Sequence, residues 1–164
     1  MKTVIFDLDG TLADTSGDLI AAANACFIDM GHGALLDEVD DQLTAFHGGR
    51  AMLRLGFSRL GSVDEGQIDA QYPDLIRHYD QKIDAKTTLY PGAIEAVEAL
   101  RSAGYGVGIC TNKPEALAEK LMQRLGVRDM FSALLGADTL PVRKPDPAHY
   151  FETVKRVGGD PARS

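Results

Sequence analysis

Two aspartates, Asp7 and Asp9, flank a single leucine directly after a short apolar run, in the stretch Asp7-Leu8-Asp9-Gly10-Thr11-Leu12. Carboxyls this close suit a hard cation bound through oxygen, because Mg²⁺ takes one or two carboxylates and completes its shell with phosphate and water. One of the pair could instead attack phosphorus while the other handles the proton. Gly10 would let backbone approach a phosphate closely, although Asp-Gly at a strand end also makes an ordinary turn. Much further along, Thr111-Asn112 supplies a hydroxyl, an amide and helix-start N–H groups, which suits an anion and equally suits a helix N-cap. Lys144 stands before Pro145-Asp146-Pro147, where an ammonium could neutralise charge developing on a transferring phosphoryl group. The alternative there is a solvated surface lysine. His47 and Arg50 flank Gly48-Gly49; either could reach a substrate carboxylate or phosphate, and arginine does so with a bidentate fork. Both residue types are also common as solvated loop residues.

The elements that must position these groups follow from hydrophobic periodicity. Thr3 to Phe6 is β-branched and aromatic and predicts a short buried strand ending at Asp7. Leu19, Ile20, Ala23, Phe27 and Met30 recur at helical spacing from Gly17 to Met30, and Gly31 supplies the stop. Two more helices are predicted over Asp37 to Phe46 and Arg50 to Leu60, around the turn His47-Gly48-Gly49. Asp64 to Ile83 is helical again, with Pro73 predicted to break or kink it near Tyr72.

From Tyr90 the pattern changes. Tyr90-Pro91-Gly92 opens a helix with proline in its first turn, carried by Ile94, Val97 and Leu100 and closed by Gly104. A strand over Tyr105 to Cys110, a helix over Pro114 to Leu125, a strand over Ser132 to Gly136 and a helix over Pro145 to Val157 follow. Strand–helix alternation predicts an α/β fold with a Rossmann-like parallel sheet and covering helices. The all-helical stretch interrupts it, so residues 15–87 read as an inserted helical cap and residues 1–14 with 88–164 as a discontinuous core. Ligands of such sheets bind at the carboxyl ends of the strands. That rule selects the loops carrying Asp7 and Asp9, Thr111-Asn112-Lys113, and Gly136 to Pro145.

Composition narrows the partners. With 164 residues, a net charge of −7 and a pI near 5.0, a general nucleic-acid or anionic-membrane surface is excluded as the default. An anionic small molecule would need a local cluster of positive groups. Cys26 and Cys110 lie far apart in apolar segments, as buried free thiols of a reducing compartment do. The N-terminal apolar run is too short for a signal peptide and no segment has the length of a membrane span. The expectation is a cytoplasmic protein, monomer or homodimer, with a small phosphorylated metabolite as partner.

Taken together, the three loops resemble the haloacid dehalogenase superfamily. Its first motif, Asp-x-Asp-Gly-Thr-Leu after the first strand, stands at Asp7 to Leu12; its second-motif Thr or Ser is matched by Thr111, and its lysine by Lys144 in Arg143-Lys144-Pro145-Asp146-Pro147. The resemblance implies that Asp7 is a nucleophile that becomes a phosphoaspartate and Asp9 the acid/base. It also implies that Thr111 and Lys144 hold phosphate oxygens with Asn112 in support. Mg²⁺ would be bound by the Asp7 carboxylate, the Asp9 backbone carbonyl and a fourth-motif carboxylate. Asp9 points away from dehalogenation, because the dehalogenases lack an aspartate there. The helical insertion marks the α-capped subgroup, and Leu12-Ala13-Asp14-Thr15, Asp18-Leu19 and Tyr90-Pro91-Gly92 are similar to phosphoglycolate phosphatases.

The departure lies at the other end. Gly158-Gly159-Asp160-Pro161 resembles the loop that leads into the family's fourth strand and its acidic motif, and Asp160 is not equated with that motif. One or more C-terminal core strands are therefore expected to be missing. The leading expectation is a Mg²⁺-dependent phosphomonoester hydrolase acting on 2-phosphoglycolate. The alternatives are a β-phosphoglucomutase-like sugar-phosphate mutase and a non-catalytic fragment that binds phosphate or a partner.

Overall fold

The computed structural model describes residues 1–164. Its central element is β4 (Gly106–Cys110), buried at every position. β1 (Thr3–Phe6) pairs with it in parallel, placing Phe6 beside Ile109, and β5 (Ala133–Leu135) pairs in parallel on its other side, placing Leu135 beside Cys110. The sheet is therefore a three-stranded parallel β1-β4-β5. A central strand of a sheet covered on both faces can carry no polar side chain, and Val107 and Ile109 are 1% and 0% exposed. Because the three strands run the same way, their carboxyl ends deliver Asp7, Thr111 and Gly136 to one edge. α5 (Ala93–Ser102) and α6 (Glu115–Arg124) lead into β4 and β5, and α7 (Pro147–Val157) follows β5 and packs back on all three strands. No fourth strand follows β5 within these residues; after α7 comes only a 3₁₀ turn, Pro161–Arg163, capped by the Asp160 carboxylate.

The chain divides into two units, Met1–Asp14 with Thr88–Ser164, and Thr15–Thr87. The first contains the sheet. It also contains a feature that periodicity could not reveal: β2 (Ala13–Asp14) and β3 (Thr88–Leu89) form a two-residue antiparallel ladder. Tyr90 N–H extends the ladder by donating to Leu12 C=O at 3.0 Å. Segments this short carry no readable alternation, and only the pairing partner makes them strands.

The second unit is all helical, with α1 (Ser16–Asp29), α2 (Gln42–Phe46), α3 (Gly49–Arg59) and α4 (Glu65–Gln81). α4 packs against both α1 and α3. Phe27 and Phe57 meet edge to face at 5.4 Å among the buried side chains of Leu53, Ile68, Leu75 and Tyr79. Arg59 grips the buried Asp41 carboxylate with two nitrogens at 2.6 and 2.7 Å. That fork holds Asp41 well below the usual carboxylate range.

Three sequence expectations are corrected here. The helix expected over Asp37 to Phe46 begins only at Gln42. Asp37 Oδ1 accepts from the N–H groups of Val39 and Asp40 at 2.8 and 2.9 Å, an Asx-type turn that competes with a helix start. α4 runs from Glu65 to Gln81 through Pro73 without a break. Proline removes one ladder bond there, and burial of Ile68 and Leu75 on either side of it offsets that loss. Pro91, expected in the first helical turn, is outside α5, which starts at Ala93 after Gly92; the left-handed backbone of Gly92 (φ 81°) forms the entry to the helix.

At the ends of the helical unit, the buried Asp18 carboxylate accepts from Lys86 N–H at 2.9 Å, Thr87 N–H at 2.8 Å and Thr87 Oγ1 at 2.7 Å. Asp18→Ala would strand these donors and is expected to cost about 2–3 kcal/mol, since unsatisfied buried groups carry the full desolvation penalty. Urea denaturation checks it as a lowered midpoint, with Asp18→Asn falling between the two because it keeps one acceptor oxygen. No helix is long and apolar enough to cross a membrane.

Candidate active site

The loop after β1 is a tight turn closed on one carbonyl. Thr11, Leu12 and Ala13 direct their N–H groups at Leu8 C=O, at 3.2, 3.0 and 3.3 Å. Leu8 and Leu12 are 0% and 1% exposed and anchor the turn in the core, while Gly10 and Thr11 between them are exposed. Asp7 Oδ1 accepts from Leu8 N–H at 2.7 Å, which fixes the carboxylate against its own backbone. The sequence pattern is thus a device: apolar residues pin the loop and the acids project from it.

Each aspartate has its own lysine. Lys144 Nζ lies 3.0 Å from Asp7 Oδ1, and Lys113 Nζ lies 2.8 Å from Asp9 Oδ1. The environments differ. The Lys144 and Asp7 side chains are 29% and 44% exposed, those of Lys113 and Asp9 only 4% and 15%. Sequence alone gives Lys113 no chemical role. The signal was present in Thr111-Asn112-Lys113, but a loop lysine is ordinarily solvated, and its burial is a tertiary result.

Thr111 and Asn112 sit at the end of β4, and neither caps α6. The α6 start is Pro114, and Glu115 N–H is taken by Asp138 Oδ1 at 2.8 Å. The N-cap alternative for the pair therefore falls, and so does the idea that every N–H at this helix start is open to an anion. Thr111 Oγ1 instead accepts from Lys113 N–H at 3.1 Å, so the hydroxyl proton is directed elsewhere. Asn112 Nδ2 donates to Lys144 C=O at 3.0 Å and so joins the second loop to the third. Asp7, Asp9, Thr111, Asn112 and Lys144 are thereby brought to one end of the core sheet. His47 and Arg50 belong to the helical unit. His47 is an exposed residue just past α2, and Arg50 pairs with Asp69 and lies over the Tyr72 ring at 4.6 Å.

Behind the loops sits His149, 0% exposed and unforeseen in the sequence. Its Nε2 is 2.9 Å from Gly136 C=O and its Nδ1 3.4 Å from Cys110 Sγ. A carbonyl only accepts, so Nε2 carries the proton and Nδ1 faces the thiol as acceptor. Burial pushes the Cys110 thiol above its ordinary value and pushes Cys26 up to about 11. Both cysteines are free and buried, and neutral thiols of this kind are poor nucleophiles. Gly136 is required by close approach: a Cβ there would stand 2.3 Å from Glu115 N. Gly136→Ala is expected to destabilise the core by about 1–3 kcal/mol, as overpacking against backbone does. A thermal melt checks it as a lowered midpoint.

The donor chemistry bears on a metal. The Asp7 carboxylate and the backbone carbonyl of Asp9 on one loop are hard oxygen donors of the kind Mg²⁺ takes from protein when phosphate and water complete its shell. No group of three or more His, Cys, Asp or Glu side chains comes together to hold an ion. Asp7 and Asp9 fit a hard cation shared with a phosphorylated ligand.

Known proteins are similar to this chain over nearly its whole length. The profile of a family described as haloacid dehalogenase-like hydrolase matches residues 1–164. The phosphoglycolate phosphatase of Agrobacterium fabrum is 39% identical over 163 residues, which span 98% of this chain and 69% of that protein. That of Mesorhizobium japonicum is 39% identical over 162 residues, spanning 98% and 71%. The crystal structure of a predicted phosphoglycolate phosphatase from Haemophilus somnus matches 99% of this chain and 74% of its own, at a TM-score of 0.84 and 25% identity.

Proposed function

This chain belongs to the haloacid dehalogenase-like hydrolase family and is a phosphatase, and from that premise we propose that it hydrolyses 2-phosphoglycolate through a phosphoaspartate on Asp7. The observation that carries the reading is the pair of carboxylates at one strand end, each held by its own lysine. The substrate rests on the phosphoglycolate phosphatases to which the chain is similar.

Asp7 Oδ1 is engaged by Leu8 N–H and Lys144, so Oδ2 is the oxygen that attacks phosphorus. The new O–P bond forms as the ester O–P bond breaks, and Asp9 gives its proton to the departing glycolate alkoxide. Asp9, now ionised, takes a proton from water. That water attacks phosphorus, inorganic phosphate leaves, and the Asp7 carboxylate is regenerated. Lys144 and the Thr111 hydroxyl stabilise the phosphoryl oxygens while charge shifts among them, and Asn112 holds the Lys144 backbone in place. Asp7 through its carboxylate and Asp9 through its backbone carbonyl would hold Mg²⁺, which when bound neutralises phosphate charge as a Lewis acid.

Phosphate release from 2-phosphoglycolate, glucose 6-phosphate and p-nitrophenyl phosphate is the test, with and without chelator. The expected result is Mg²⁺-dependent release with the highest kcat/KM on 2-phosphoglycolate. Equal kcat/KM on all three would overturn the substrate, and undiminished activity in excess chelator would overturn the metal.

A further inference from the structure

Lys113 is built into the fold more firmly than a charge carrier needs to be. Its backbone N–H donates to Thr111 Oγ1 at 3.1 Å, and its carbonyl accepts from Ala137 N–H at 2.9 Å. The side chain is 4% exposed, yet its ammonium reaches Asp9 Oδ1 at 2.8 Å. Lysine rarely surrenders its hydration and side-chain entropy in this way. Lys144 makes the contrast, since its ammonium serves Asp7 while 29% of the side chain stays in solvent. A phosphate-binding cation can afford to be mobile and wet, because the ligand itself orders it. An anchored, dry cation on one carboxylate oxygen does something different: it holds that carboxylate in one rotamer.

Resting on the reading of Asp9 as acid/base, we infer that Lys113 is a positioning residue for Asp9, fixing Oδ1 so that the carboxyl presents its proton to the leaving group. Asp9 stands between the anchored Leu8 and Gly10, and its backbone alone leaves more than one staggered rotamer open. Proton delivery tolerates little error in placement, and a misplacement of the order of 1 Å can cost about 10²-fold. The ion pair across two loops supplies the constraint.

The consequence is specific to the leaving group. An alkyl phosphate expels a basic alkoxide that needs the proton, whereas p-nitrophenolate leaves without one. Losing a positioned acid should therefore slow alkyl esters selectively, and kcat/KM reads this step because it covers events up to leaving-group departure. Loss of a bound metal or of phosphate affinity would instead lower both ester classes together.

The experiment compares kcat/KM for 2-phosphoglycolate and p-nitrophenyl phosphate in wild type, Lys113→Met, Lys113→Gln and Asp9→Asn, with a thermal melt of each. Lys113→Met is expected to lose about 10²-fold on the alkyl ester and about tenfold or less on the aryl ester. Lys113→Gln keeps a donor on a side chain one bond shorter, so it should recover part of the difference, and it serves if the methionine variant does not fold. Asp9→Asn should show the same selectivity more strongly. If Asp9→Asn is selective while both Lys113 variants lose activity equally on the two esters, or lose none, the positioning role is overturned and the acid/base reading stands. If Asp9→Asn lowers both esters equally, the acid role itself is wrong and the inference falls with it.

Discussion

Asp7→Asn is expected to lower kcat by about 10⁴-fold or more, because removing a covalent nucleophile takes away the step on which the others depend. An amide cannot form the acyl phosphate. The substitution is nearly isosteric, and an asparagine carbonyl can still accept from Leu8 N–H, which bonds Asp7 Oδ1 at 2.7 Å. The ion pair to Lys144 is lost, but with the two side chains 44% and 29% exposed water replaces it at little cost. The fold should therefore survive, with an unchanged urea midpoint beside collapsed phosphate release. Trapping of a phosphorylated wild-type chain, absent in Asp7→Asn, completes the check. Near wild-type turnover would show that another group attacks phosphorus.

The second large effect is at Lys144. Lys144→Met should reduce kcat/KM by about 10²–10³-fold, the usual range for deleting one donor aimed at developing charge. The backbone of this residue is held independently, since Asn112 Nδ2 donates to its carbonyl at 3.0 Å. The loss can thus be assigned to the ammonium rather than to a displaced loop. Inorganic phosphate should also inhibit the variant more weakly. Lys144→Arg should recover only part of the rate, because a planar fork does not reproduce a compact point charge. Unchanged phosphate inhibition in Lys144→Met would place Lys144 outside the phosphoryl site.

The two lysines make one arrangement with two physical regimes. The partner of Asp7 keeps 29% of its side chain in solvent, which suits the proposed nucleophile, whose cation would move to the ligand. The partner of Asp9 is buried with its backbone bonded on both sides, which suits the proposed acid, whose alignment would have to be kept. Behind them, His149 ties the end of β4 at Cys110 to the end of β5 at Gly136. Gly136 in turn allows β5 to reach the first residue of α6.

Local chemistry in the sequence was enough to single out as candidates Asp7 and Asp9 after a strand and Thr111 and Lys144 after two later breaks in periodicity, and to reveal the α/β alternation that places strand ends together. These are properties of neighbouring residues: β-branched runs, helical spacing, and Gly and Pro punctuation. Helix boundaries were legible where capping agreed with periodicity, and failed where a side chain outcompeted the backbone, as Asp37 does before α2. Pro73 shows the opposite failure, a local breaker overridden by burial on both sides of it. What tertiary structure alone decided is pairing at a distance. The ladder of Ala13–Asp14 with Thr88–Leu89, the capping of α6 by Asp138 and the choice of Lys113 for Asp9 and Lys144 for Asp7 all join segments far apart in sequence. An isolated lysine or aspartate looks the same whether solvated or buried. Only the parallel register of β1, β4 and β5, which sets the three loops side by side, determines which charge meets which.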